Sequence, residues 1–337
     1  MNRALCAGIL AAAIAAGSGC GGTWSNEDIV FLYALPKKEA LRANVPGADQ
    51  TASTQNGLQS RKDPLAVGDA SRAYAETKLK AQELNSSLLT ILEVVEYVRR
   101  QSPSQRGEDF RQWGPWADEK DRTQQIRLVI RRFLTAPVHY EWSIDVKRRT
   151  EPEDAWLQAI HGSYEPTDDV RRGSGTFSLD AARVREAGFM GATDDGQLQY
   201  LEVNYQTGGD PIAVELLLDA KRAHLEYEYE EHSDGSGRLS FDLSANWIPT
   251  GSALETLWVT SAWAASGAGR ADYHVYGGNT PGGAVDKATA LAAGEECWDE
   301  SFRTAYYHEV FDSDGDGTPG TVHGLVTHCA VPDPDLQ

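Results

Sequence analysis

The chain has 337 residues, 41% of them hydrophobic and 24% charged, the composition of an ordinary folded protein. Its 50 acidic against 31 basic residues give a net charge of −19. That balance argues against nucleic acid, whose phosphates need a basic footprint, and against adsorption to anionic lipid by charge alone.

Residues 1–19 have the three-part plan of an export signal. Arg3 is a short positive start, Ala4 to Ala16 an apolar run of small residues, and Gly17-Ser18-Gly19 a small-residue cleavage site. The run is too short to span a bilayer, which takes roughly 20 apolar residues. Cys20 follows directly, and Gly17-Ser18-Gly19-Cys20 resembles the bacterial lipobox, although Gly17 stands where leucine is usual. The expectation is a lipoprotein whose Cys20 carries the lipid and ties the chain to a membrane. Gly21 is not the aspartate of inner-membrane retention, which points to the outer membrane of the cell envelope. The four cysteines fit this plan. Cleavage removes Cys6, lipidation uses Cys20, and Cys297 and Cys329 remain to form one disulfide in an oxidising compartment.

Residues 20–68 read as the lipidated cysteine, a tether and a polar linker rich in Gly, Ser, Thr, Asn, Gln and Pro, with one apolar patch at 29–33 that suits either a first strand or a docking helix. Residues 69–101 read as one long helix. Leu84, Leu88, Ile91, Leu92, Val95 and Val98 recur at helical spacing, Asp69 or Ser71 can cap the start, and Pro103 lies just past the end.

The β domain is expected over 102–337; its first stretch, 102–121, reads as a loop, and beyond it the apolar period changes from 3.6 to 2. Ile126, Leu128 and Ile130 alternate with Arg127 and Arg131, and Tyr140, Trp142, Ile144 and Val146 alternate with polar residues. Similar runs at 155–161, 174–180, 197–205, 211–219, 223–231, 238–245, 255–263, 270–276, 302–310 and 321–328 are separated by Gly, Asp, Asn and Pro. The clearest hairpin is 223–245, closed by Ser233-Asp234-Gly235-Ser236-Gly237. The expected fold is mainly β with an N-terminal helix: a curved antiparallel sheet or open barrel of roughly ten to twelve strands, with one long helix packed against it. The many Glu, Arg and Asp on the outward faces, and the chain's own lipid anchor, argue against a lipid-spanning barrel.

Few motifs carry chemistry. Asp312, Asp314 and Asp316, with Thr318, have the spacing of the first half of a calcium loop, but His323 stands where a bidentate Glu is needed and Pro319 interrupts the loop. The turn is therefore either a loose calcium site or an acidic β-turn. His308, His323 and His328 fall in one C-terminal hairpin without the spacing of a zinc site. Ser266-Gly267-Ala268-Gly269-Arg270 reads as a tight turn and not as a phosphate loop, and Arg270 and Asp272 read as paired with neighbours. No nucleophile elbow or Ser-x-x-Lys appears, so no catalytic residue is assigned. Carboxylate pairs such as Glu295-Glu296 read as solvated faces.

The phrases Trp113-Gly114-Pro115-Trp116, Gly173-Ser174-Gly175-Thr176-Phe177, Gly267-Ala268-Gly269-Arg270-Ala271-Asp272 and Glu296-Cys297-Trp298-Asp299 resemble uncharacterised lipoproteins of predatory soil bacteria over most of 25–310. That resemblance implies an envelope lipoprotein and assigns no functional residue. The anchor, helix and curved sheet also resemble the LolA/LolB lipoprotein-carrier architecture, a likeness of fold alone.

Two functions stay open. In one, a non-enzymatic lipoprotein binds an apolar ligand or acyl chain, lined by Trp142, Tyr227, Tyr229, Phe241, Trp258 and Trp263. In the other, a structural lipoprotein contacts an envelope protein and uses the calcium-type turn. The partners implied are the membrane, through Cys20, and one of these ligands. No nucleic acid or cofactor other than calcium is implied, and the sequence does not set the oligomeric state.

Overall fold

A computed structural model describes residues 24–47, 66–118, 121–189, 198–220, 223–245, 255–277, 290–309, 320 and 322–332. The fold is mainly β and antiparallel throughout. The helices are α1 (Asn26–Leu32), α2 (Arg72–Arg99) and α3 (Ala181–Glu186). The first eight strands are β1 (Gln105–Arg106), β2 (Phe110–Ala117), β3 (Gln124–Phe133), β4 (His139–Arg148), β5 (Leu157–Pro166), β6 (Gly173–Asp180), β7 (Leu198–Thr207) and β8 (Ile212–Ala220). The remaining seven are β9 (Ala223–Glu231), β10 (Gly237–Ala245), β11 (Glu255–Trp263), β12 (Gly269–Gly277), β13 (Ala292–Trp298), β14 (Thr304–Glu309) and β15 (Val322–Gly324).

The chain divides into two compact units. The first comprises residues 1–42 and 85–222, and the second 43–84 and 223–337, so α2 passes from the second unit into the first at Leu84. Within each unit every strand pairs with its neighbour in sequence, β1 to β8 in the first and β9 to β15 in the second.

Four expectations need correction. The described residues hold fifteen strands instead of ten to twelve: β1 and β2 lie in the stretch expected as a loop, and β13 lies where no run was expected. The 321–328 run is a strand only over Val322–Gly324 and then a 3-10 turn at Val326–His328. The helical part is not one long helix alone, since α1, α3 and 3-10 turns accompany α2. The 29–33 patch belongs to α1, whose capping box was legible as Ser25-x-x-Asp28: the Asp28 N–H donates to Ser25 Oγ at 3.1 Å and the Ser25 N–H to Asp28 Oδ2 at 3.0 Å. The 36–47 stretch, expected as free linker, buries Leu41, Ala43 and Val45.

In the first unit, strand alternation sends the apolar positions to one side and charge to the other: Leu128, Ile144, Ile160, Leu179 and Leu201 are buried in register across β3 to β7. Helix α2 contributes Leu88, Leu92, Val95 and Val98, one buried stripe at helical spacing. Asp28 is fully buried and receives Arg106 at 3.1 Å and Arg111 at 2.8 Å, which hold its carboxyl well below the usual range despite its burial. The Trp113-Gly114-Pro115-Trp116 phrase is a bulge: Trp113 faces Leu128 and Trp116 faces Ile126, with Gly114 at φ 84 absorbing the extra chain. Trp113 is buried and its indole N–H donates to the Gln101 carbonyl at 2.8 Å.

In the second unit the glycine-rich and cysteine-containing phrases meet. Gly269 pairs with Trp298, Arg270 with Cys297 and Ala271 with Glu296. A Cβ on Gly269 would lie 2.3 Å from the Trp298 ring, so only glycine lets that ring lie on the strand. Cys297 is disulfide-bonded to Cys329, with Cα atoms 5.4 Å apart.

Glu296 corrects the reading of Glu295-Glu296 as a solvated pair. The period of 2 sends the two side chains to opposite faces. Glu295 joins the polar face, whereas Glu296 is 1% exposed at the start of α2. There it accepts from the backbone N–H of Arg72 (3.2 Å) and Ala73 (2.9 Å) and from the Thr304 hydroxyl (2.8 Å). It thus takes up N–H groups that a helix start leaves free. The Ser71 hydroxyl adds the local cap by accepting the Tyr74 N–H at 3.0 Å.

We expect Glu296→Ala to lower stability by about 3 kcal/mol, the sum of a lost cap and buried donors left unpaired. Glu295→Ala should cost less. Urea unfolding of both variants checks this, and equal losses would remove the capping role.

Candidate functional site

The first unit carries a cavity of about 410 Å³ on its polar face. Strand pairing assembles its floor from two adjacent rows. Ser163, Thr176, Asn204 and Glu215 lie side by side across β5 to β8, and Glu165, Ser174, Gln206 and Ala213 form the next row. His139 closes one end, stacked on Phe133 with centroids 4.7 Å apart. The opposite side of the same strands shows why a hollow forms here. Gly162 lies against Trp142, Gly173 against Tyr164 and Gly175 against Tyr205, each so closely that an added Cβ would meet the ring within 3 Å. Glycines covered by aromatic rings are positions where an antiparallel sheet can bend sharply, and bending hollows the other face.

The lining mixes polar side chains with apolar surface, to which Tyr164, Tyr205 and Ala213 contribute. Ser163 Oγ is 3.1 Å from Thr176 Oγ1, and the Asn204 amide donates to Glu215 Oε2 at 3.4 Å. Hydroxyls, amides, an imidazole and two carboxylates offer donors and acceptors, while no Lys or Arg lines the cavity. That chemistry suits a neutral, hydroxyl-rich ligand and disfavours an anion. The volume is in the range of small-ligand sites.

One row further along, Ser178 Oγ lies 3.2 Å from His161 Nε2 and 3.4 Å from Nδ1. Near-equal distances place the hydroxyl out of line with either nitrogen lone pair, so this contact lacks the geometry of a nucleophile and its base.

The second unit has a polar face of a different kind, largely buried. Ser240, Thr260, Asp272, Glu295 and His308 form one row across β10 to β14. Arg270 binds Asp272 at 2.9 Å and also contacts Glu295, which accepts from Tyr306 (3.0 Å) and lies 3.1 Å from His308 Nδ1. In the next row Asp242 is 1% exposed. Its Oδ1 accepts the Glu226 N–H at 2.6 Å, and its Oδ2 has no hydrogen-bond partner. Burial pushes its carboxyl up to about 6 against the weaker opposing pull of that N–H.

The sequence-derived aromatic set does not form one group. Trp142 is buried in the first unit, whereas Tyr227, Tyr229, Phe241 and Trp263 are buried in the second. Trp258 lies on the other face of β11, where its indole N–H donates to Thr260 Oγ1 at 3.1 Å. His308 faces Val322 and His323 faces Tyr307 in adjacent pairs, so the two imidazoles point to opposite sides, and His328 lies beyond the hairpin in the 3-10 turn. Among the described residues no group of three His, Cys, Asp or Glu is placed to hold a metal. Cys20 and the turn of Asp312, Asp314, Asp316 and Thr318 lie outside the described residues. The cavity residues escaped the sequence reading because small polar side chains on a wet strand face look like ordinary solvated positions. Their signal was the glycine-and-aromatic pattern at 162, 173 and 175.

No protein-family model matches the chain, and no curated protein or solved structure matches it significantly.

The Asp242 carboxyl gives a pH test. Its value rises from 3.8 to about 6, so the folded state is favoured below pH 4 and loses that advantage as pH climbs through 6. The loss amounts to about 3 kcal/mol. Asp242→Asn should remove it, so the variant gains on the wild type between pH 4 and pH 8 in urea unfolding. A constant difference across that range would refute the assignment.

Proposed function

We propose that this protein is a non-enzymatic, lipid-anchored lipoprotein of the cell envelope that binds a neutral, hydroxyl-rich ligand in the cavity of its first unit. The cavity carries the reading: about 410 Å³, open to the surface, with hydroxyl, amide and carboxylate groups set beside Tyr164 and Tyr205. The alternative of an apolar ligand draws on Trp142, Tyr227, Tyr229, Phe241 and Trp263, all packed into apolar interiors. An acyl chain would have to displace them from contacts worth several kcal/mol per side chain. The Cys297–Cys329 disulfide suits an oxidising compartment, and the leader and Cys20 supply the anchor. The calcium-type turn at 312–318 would serve stability in this reading and not recognition.

Thr176 is exposed in the middle of the cavity floor, so Thr176→Trp fills the hollow with little effect on folding. On an oligosaccharide array the wild-type chain should retain a subset of neutral glycans and Thr176→Trp should lose them. Saturable uptake of a fluorescent fatty acid, with no glycan retained, would turn the assignment to the apolar ligand. Cys20→Ala should abolish palmitate labelling and release the protein from the membrane fraction. A wild-type chain that takes no label would remove the anchor.

A further inference from the structure

We infer that the first unit rests on the bilayer surface through an apolar patch formed by the start of α1 and the β3–β4 turn. The inference depends on Cys20 carrying the lipid. Trp24, just before α1, is 42% exposed, and the turn exposes Leu134 (64%) and Val138 (39%). The turn, Leu134-Thr135-Ala136-Pro137-Val138, is exposed along its whole length and contains no charged residue.

The two elements are fixed side by side. Glu27 of α1 pairs with Arg132 at 2.8 Å, Arg132 lies over the Phe31 ring at 5.0 Å, and Phe31 meets Tyr140 edge-on at 5.9 Å. Arg132 and Tyr140 flank the turn from its two strands. The Glu27 carboxylate beside the patch is thereby neutralised, which lowers the penalty for bringing it near lipid.

The occupant follows from the length of chain to the anchor. Trp24 is four residues from Cys20, and four residues span at most about 14 Å. A lipid in the bilayer at Cys20 therefore holds Trp24 within reach of the headgroup region, where tryptophan is favoured because its ring is apolar and its N–H can stay wet. With a net charge of −19 the protein gains nothing from anionic headgroups, so the contact is apolar and needs no acidic lipid.

The test uses the full lipidated protein in phosphatidylcholine vesicles, with and without bromine on the acyl chains, and its Trp24→Phe variant. Intact mass reports the lipid on Cys20. The difference emission between the two proteins isolates Trp24; it should be blue-shifted and quenched by the brominated lipid. Leu134→Asp with Val138→Asp, both exposed and so compatible with folding, should weaken that quenching and leave the acyl mass unchanged. Acyl mass without quenching of Trp24 would overturn the seating while the anchor stands. Absence of acyl mass would overturn the anchor, and the seating with it.

Discussion

A helix that begins among buried side chains exposes N–H groups that neither water nor the preceding turn can satisfy. In the second unit that demand is met from 223 residues away, by the carboxylate of Glu296 on the Ala73 N–H. The position is demanding on both sides. The helix start favours a negative charge, yet burial pushes the Glu296 carboxyl above its ordinary value. Thr304 and the Arg72 N–H complete the shell, and without them a charge at that depth would not be held. The arrangement fixes where α2 starts on β13 and β14, and with it the face the helix offers to β11, where Thr77 and Ser261 share a 2.6 Å hydrogen bond. The first unit uses the same device at α1: Asp28 both caps the helix and receives two arginines from β1 and β2.

The two polar faces differ in what their burial permits. On the first unit the polar rows are open and carry donors and acceptors that face outward. On the second unit the charges satisfy one another through Arg270, and little is left for a newcomer except the unpartnered oxygen of Asp242. Similar alternation in sequence therefore produces one surface suited to recognition and one suited to holding strands together.

Much of the backbone was legible because each element had a period. The stripe from Leu84 to Val98 announced α2, and alternation announced β3, β4 and the hairpin of β9 and β10. Cys297 and Cys329 were legible by elimination. What escaped had no period. The two residues of β1 are too few to alternate, the bulge between Trp113 and Trp116 breaks the alternation of β2, and the 321–328 run turns into a 3-10 element after three residues. Glu295-Glu296 looked like an acidic surface because composition carries no record of which face a strand residue takes. The cavity was hidden for a related reason: a hollow is made by bending, and the residues that allow bending, Gly162 and Gly175, carry no side chain to mark it.

The interleaving of the two units sets an order of assembly on a chain that emerges from its N-terminus. All parts of the first unit are out once residue 222 has appeared. The first turn of α2, by contrast, is made early and must wait for residue 296 before its N–H groups find their carboxylate. The link to Cys329 closes later still, near the end of the chain. Until these residues appear the second unit lacks the strands that complete it, and the first turn of α2 has no carboxylate to cap it.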